Sequence, residues 1–291
     1  MLIRITRKRM LFLVSLVLLA YVGVMIVESR KPALPAVRTA EGRPQGYVFV
    51  SMLVDLVEAQ TEGPGGWTPN DLPLTPGYWL DNLPSFQMGV MSVVRRVTLL
   101  LRDDLGRARP GEQPHPELVQ AAEAYSADLR KWANPSAESM LQSGNGALIR
   151  FRQDMQGHAR VYPTPAAVRR LFLALTQELD TVDQRLLLSS DRDIVPWYKV
   201  DDNLYYAQGT AFAQLGVLKA IRVDFAALFP PGKLLSAMDA AIRQLADSQF
   251  EPWVVTNGSK SSLFANHSSN LRFILEEARR NLQIIADGLG G

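Results

Sequence analysis

The sequence has no cysteine, only three histidines in 291 residues, and no stretch that alternates apolar and polar side chains for the length of a strand. Without cysteine there is no disulfide framework, and an oxidising compartment suits a chain with no thiol to mispair. His115, His158 and His267 form no H-E-x-x-H or comparable ligand pair, so the sequence assigns no metal. It assigns no cofactor either. G-x-S-x-G and a strand-borne G-x-G-x-x-G are absent, and Gly258-Ser259-Lys260-Ser261 lacks the spacing of a phosphate loop. A basic excess is missing from most of the chain as well. Residues 1–31 hold six basic side chains against Glu28 alone, whereas the other 260 residues hold 25 basic and 28 acidic ones. A body of that balance does not suit a phosphate backbone, and nucleic acid is not an expected partner.

One long apolar run is present. Met10 to Val27 reads MLFLVSLVLLAYVGVMIV, eighteen residues without a charge. As a helix it spans roughly 27 Å, enough for a thin bilayer core. A cleavable signal peptide has a shorter apolar region ending at small residues. Here Glu28-Ser29-Arg30-Lys31 follows, and Ala33, Ala36 and Ala40 come late, among prolines. The sequence therefore favours an uncleaved signal anchor. Arg4, Arg7, Lys8 and Arg9 precede the run, which puts the N-terminus in the cytoplasm by the positive-inside rule. The expected organisation is a basic cytoplasmic tail over 1–9, a transmembrane anchor over 10–27, a linker rich in Pro, Arg, Gly and Glu over 28–46, and an extracytoplasmic domain over 47–291.

The apolar spacing after the linker is helical. Phe86, Val90, Val93, Val94 and Val97 keep the 3.6-residue period, as do Val168, Leu171, Phe172, Leu175 and Leu179, and Leu271, Ile274, Leu275, Ala278 and Leu282. Residues 203–228 are apolar nearly all round, as a central helix should be. Residues 117–132 and 136–156 read as weaker helices, the second interrupted at Ser143-Gly144-Asn145-Gly146. The expectation is an all-α body of about eight helices.

Three connecting segments, 61–85, 189–202 and 249–267, contain four of the five tryptophans: Trp67, Trp79, Trp197 and Trp253. Aromatic loops of this kind are expected to be pinned on helices. Two of them share a short match. Asp81-Asn82-Leu83 resembles Asp202-Asn203-Leu204, with Gln87 and Gln208 at the same offset. Each Asp-Asn pair is placed to cap the helix that follows it, and the two segments are expected to lie close in space.

These loops supply the candidate binding or structural residues. Trp67, Tyr78, Trp79, Asp81 and Asn82 come from the first, Trp197, Tyr198, Asp201, Asp202 and Asn203 from the second, and His267 from the third. No residue qualifies as catalytic. Sugars stack on tryptophan and tyrosine, and paired carboxylates about 5–10 Å apart cleave glycosidic bonds, so Asp81 with Asp201, Asp202 or Glu276 is the one enzymatic arrangement to test. His267 beside Ser268 and Ser269 is more simply a helix start, with a serine as cap.

GGWTPND (65–71), PGYWLDNLP (76–84), VDDNLYYAQG (200–209) and SSLFANHSSNLRFILEEAR toward the end resemble a family of uncharacterised proteobacterial envelope proteins, domain-of-unknown-function family 2333. The resemblance covers roughly residues 46–285. It implies a bacterial source, one N-terminal anchor in the inner membrane and a helical periplasmic body. It brings no activity and no site residues. The expected partners are the membrane, through the anchor, and an envelope protein or glycan.

Overall fold

The computed structural model describes residues 7–72, 75, 81–109, 111–189, 200–250 and 266–290. Among them there are nine α-helices and no β-strand. α1 (Arg7–Glu28) has 22 residues, or about 33 Å of helix. Its span Met10–Glu28 has a mean hydropathy of 2.8, is long and apolar enough to cross a membrane, and has no buried residue.

The body follows from α2 (Tyr47–Thr61), α3 (Asn82–Leu100), α4 (Pro116–Ser126), α5 (Ala137–Asp154), α6 (Pro165–Ser189), α7 (Val200–Asp224), α8 (Lys233–Asp247) and α9 (His267–Gly288). Their contacts set the course of the chain. The connection after α2 touches the one after α4, because the Trp67 indole N–H donates to the Leu129 carbonyl (2.9 Å) and the Asn70 amide to that of Lys131 (3.1 Å). The end of α8 meets α7 through Gln208, whose amide donates to the carbonyls of Ser248 and Phe250 (3.1 and 2.7 Å). At the opposite end, the Tyr162 N–H donates to the Leu105 carbonyl (2.7 Å), and Arg170 pairs with Asp104 (2.7 Å). Gly288 packs on Leu234 and Gly290 on Arg169. Successive helices thus alternate in direction, and the last turns of α2, α4, α6 and α8 lie at the same end as the starts of α3, α5, α7 and α9.

That end is where α1 arrives. Glu28 packs on Gly65, so closely that a Cβ at position 65 would lie 3.1 Å from the Glu28 carbonyl oxygen. Three residues on, the Lys31 ammonium donates to Gln208 Oε1 (2.9 Å) and sits over the Tyr205 ring, 4.9 Å from its centroid. Residues 29–46 then run along the body as a non-helical strap. Leu34, Val37 and Ala40 pack on the core, and Arg38 forms two hydrogen bonds with Asp55 (3.0 and 2.6 Å).

α7 is central, as its all-round apolar character requires. Ala207 through Leu218 are buried without a break, and the helix packs on α2, α3, α6, α8 and α9. α5 is continuous through 143–146, contrary to the expected interruption. Gly144 provides space for the fully buried Tyr125 ring, and the Asn145 amide donates to Glu58 (3.3 Å). The helix-weakening residues there serve packing rather than a turn.

Candidate functional site

The closest helix pair is α3 with α7, which run side by side from a common end. A Cβ at Gly89 would overlap the Tyr206 carbonyl oxygen, and one at Gly209 the carbonyl oxygen of Phe86. Gly89 stands eight residues after Asp81, and Gly209 eight after Asp201. The crossing is therefore locally symmetric with Asp201, not Asp202, equivalent to Asp81. This register is one residue away from the match read in the sequence.

The two glutamines of that match nevertheless do the same work. The Gln87 amide donates to the carbonyls of Gln60 in the last turn of α2 and of Gly66 just after it (2.9 and 2.7 Å), while its oxygen accepts from the Thr68 N–H and hydroxyl (3.0 and 2.8 Å). Gln208 holds the exit of α8 in the same way and accepts from Lys31. Both are buried, where an unpaired amide would be costly.

Parallel packing brings carboxylates together at the shared start. Asp81, Asp201 and Asp202 have carboxylate oxygens within 4.8 Å of one another, the one such acidic cluster among the described residues. Burial, and then the Asp81 charge, push Asp201 above the usual carboxylate range. Asp202 accepts from the Ser85 hydroxyl (3.2 Å), tying α7 to α3. Neither matched aspartate caps in the expected way. Asp81 occupies the N-cap position of α3 but makes no side-chain cap bond. Asp202 lies inside the first turn of α7, where Asp201 accepts from its N–H (3.2 Å). The positive ends of two helices favour this negative charge. Asn82 and Asn203 stand beside the cluster at the same helix starts, both half-buried.

Trp67 is buried and donates to Leu129, so it fastens its loop as expected of an aromatic pin. Tyr78, Trp79, Trp197, Tyr198 and Trp253 lie outside the described residues. His267 is the first residue of α9, with its ring 6.3 Å from that of Phe250. The cap of α9 is Asn266, which accepts from the Ser269 N–H (2.8 Å), rather than either serine. Glu276 does not join the acidic cluster. Hydrogen bonds from Arg279 and Arg280 outweigh its burial and hold its carboxyl down at about 2.

Several residues at this end were not singled out in the sequence. Lys31 is one, passed over because 28–46 has linker composition. Asp71 is another. Partial burial, with Glu28 and Glu138 nearby, pushes its carboxyl up to about 6. Its pKa is raised on folding, so its ionised form opposes folding above about pH 6, and that opposition fades as pH falls through 6. Asp71→Asn should therefore raise the melting temperature at pH 7.5 and lose about half of that advantage at pH 5, checked by thermal unfolding at both values. A variant equally stabilised at both pH values would reject this account of Asp71.

A cleft of about 510 Å³ opens on the flank of the body, between α3, α6, α7 and the exit of α4. Arg95, Arg96, Glu178, Met88 and Tyr206 are among its walls. Arg96 is paired with Glu178 (3.0 Å), and the Arg185 guanidinium lies 4.1 Å over the Tyr206 ring.

No curated protein and no solved structure matches the chain. A family model does match, over residues 4–195 and again over 169–285, and so takes in the apolar helix, the strap and the body. The chain therefore belongs to the family described as an uncharacterised protein conserved in bacteria, DUF2333.

Proposed function

We propose that the chain is a single-pass inner-membrane protein, N-terminus in the cytoplasm, whose helical periplasmic body binds another component of the cell envelope. The observation that carries this is α1, a helix of membrane-spanning length with Arg4, Arg7, Lys8 and Arg9 ahead of its apolar span. The strap adds support. With Glu28 and Lys31 both fixed on the body, the domain is held next to the bilayer rather than on a free tether, and a partner in the envelope is within its reach. Crosslinking of the full chain in living cells, with identification of the captured neighbours, tests the reading. Repeated capture of an envelope protein or glycan supports it, and capture of cytoplasmic components alone contradicts it.

One observation favours a second reading, a glycan-binding or glycan-cleaving protein. Asp81 and Asp201 are about as near as the carboxyl pair of a retaining glycosidase, and Asp201 is held toward its protonated form. Trp67 offers no sugar platform, being buried. Under this reading Asp81→Asn and Asp201→Asn fold normally yet fail to complement a deletion strain. Full complementation by both would dismiss it.

A further inference from the structure

We infer that the end of the body from which α1 departs rests on the bilayer surface and is a lipid-contacting face. This inference rests on α1 being a membrane span. Given that span, the distance is set by the chain. Lys31 follows Glu28 by three residues, at most about 11 Å of extended backbone, and its ammonium is bound to Gln208 on α7. The headgroup layer on each side of the hydrocarbon core is itself roughly 5–8 Å thick. Gly65 touches Glu28 directly. The starts of α3 and α7 and the described residues beside them therefore stand at headgroup height.

The side chains on that end suit the location. Seven large apolar side chains of the body are exposed among the described residues. Five belong to this end: Leu72 in the α2–α3 connection, Trp132 in the α4–α5 connection, Leu187 and Leu188 in the last turn of α6, and Phe273 two turns into α9. Trp132 is 68% exposed and Phe273 70%, against 37% and 38% for Tyr162 and Val223 at the opposite end. Tryptophan and phenylalanine left in water at one end of an otherwise well-buried core mark an interaction face, and an aromatic ring at headgroup depth is the usual interfacial anchor. Charges of both signs stand here, Asp71, Glu138 and the Asp81 cluster against the exposed Arg30, Arg130 and Lys131, so no net attraction to anionic lipid is needed. Contact is thus apolar and aromatic, and vesicles of phosphatidylcholine alone should suffice.

The absence of cysteine makes the test direct. Leu18→Cys, Trp132→Cys, Phe273→Cys and Tyr162→Cys, each as the single thiol of the full chain, would carry a nitroxide label in phosphatidylcholine vesicles. Relaxation by oxygen, which partitions into lipid, is compared with relaxation by a water-soluble nickel chelate. The labels at 132 and 273 should show a several-fold higher oxygen-to-nickel ratio than the label at 162, and the label at 18 a higher ratio still. If 132 and 273 match 162 while 18 reads as lipid, the face stands clear of the membrane and the inference fails with the anchor intact. A protein partner as the true occupant would give that same result in these protein-free vesicles. If 18 reads as water, the anchor reading fails and the inference with it.

Discussion

Alanine at Gly209 is expected to destabilise the body by about 3 kcal/mol, at the upper end of the usual cost of overpacking. The added methyl group would overlap the carbonyl oxygen of Phe86, a backbone atom of α3 that cannot rotate away. α3 and α7 would have to separate, loosening the contact of the Phe86 and Phe212 rings, now 5.2 Å apart. Alanine's better helix propensity returns only about 1 kcal/mol. Gly89→Ala meets the Tyr206 carbonyl in the same way and should behave alike. Gly216→Ala, also in α7, is the control. Its methyl would meet the side chain of Met52, which can move. Chemical denaturation should find Gly216→Ala near the parent and the other two far below it. Equal stabilities for all three would refute the close α3–α7 crossing.

Asp224→Ala should cost about 2–5 kcal/mol. This buried carboxylate at the end of α7 accepts from the N–H groups of Gly46 (3.0 Å) and Phe49 (2.8 Å), and so caps α2 from a helix distant in sequence. Removing it orphans two donors, each worth about 1–3 kcal/mol when buried and unpaired. Asp224→Asn keeps one acceptor oxygen and should fall between. Burial raises the Asp224 pKa, partly offset by those backbone N–H groups. The folded state therefore takes up this proton before the unfolded state does, and the stability cost of ionisation is relieved as pH falls through the folded pKa. The parent should gain on the Asn variant as the solution is acidified. An alanine variant with the parent's unfolding midpoint would remove Asp224 from the account.

Much of this was legible in the sequence, and the physics explains where it was not. The helices show because their apolar stripes face one shared core, and α7 shows because it has neighbours on every side. The meeting of Asp81 with Asp201 and Asp202 follows from two similar helix starts. Their exact register does not, since it is set by the positions of Gly89 and Gly209, and a glycine in a sequence does not reveal what it faces. Gly144 misleads for the same reason: it reads as a break and serves as a seat for Tyr125. Composition also hides the strap, because Lys31, Leu34 and Val37 are bound by partners more than a hundred residues away, or by the general core. Trp132 was overlooked because 117–132 reads as one helix, whereas α4 ends at Ser126 and leaves Trp132 in a connection. Its meaning emerges only once the alternation of helices brings it to the same end as α1.

The central claim is that α1 crosses the inner membrane with the body on the periplasmic side. The most direct measurement is a pair of reporter fusions after Gly291 in cells, one enzyme that folds only outside the cytoplasm and one that works only inside it. The account predicts activity from the first and none from the second. Activity from the cytoplasmic reporter alone would place the body on the other side of the membrane and contradict the account.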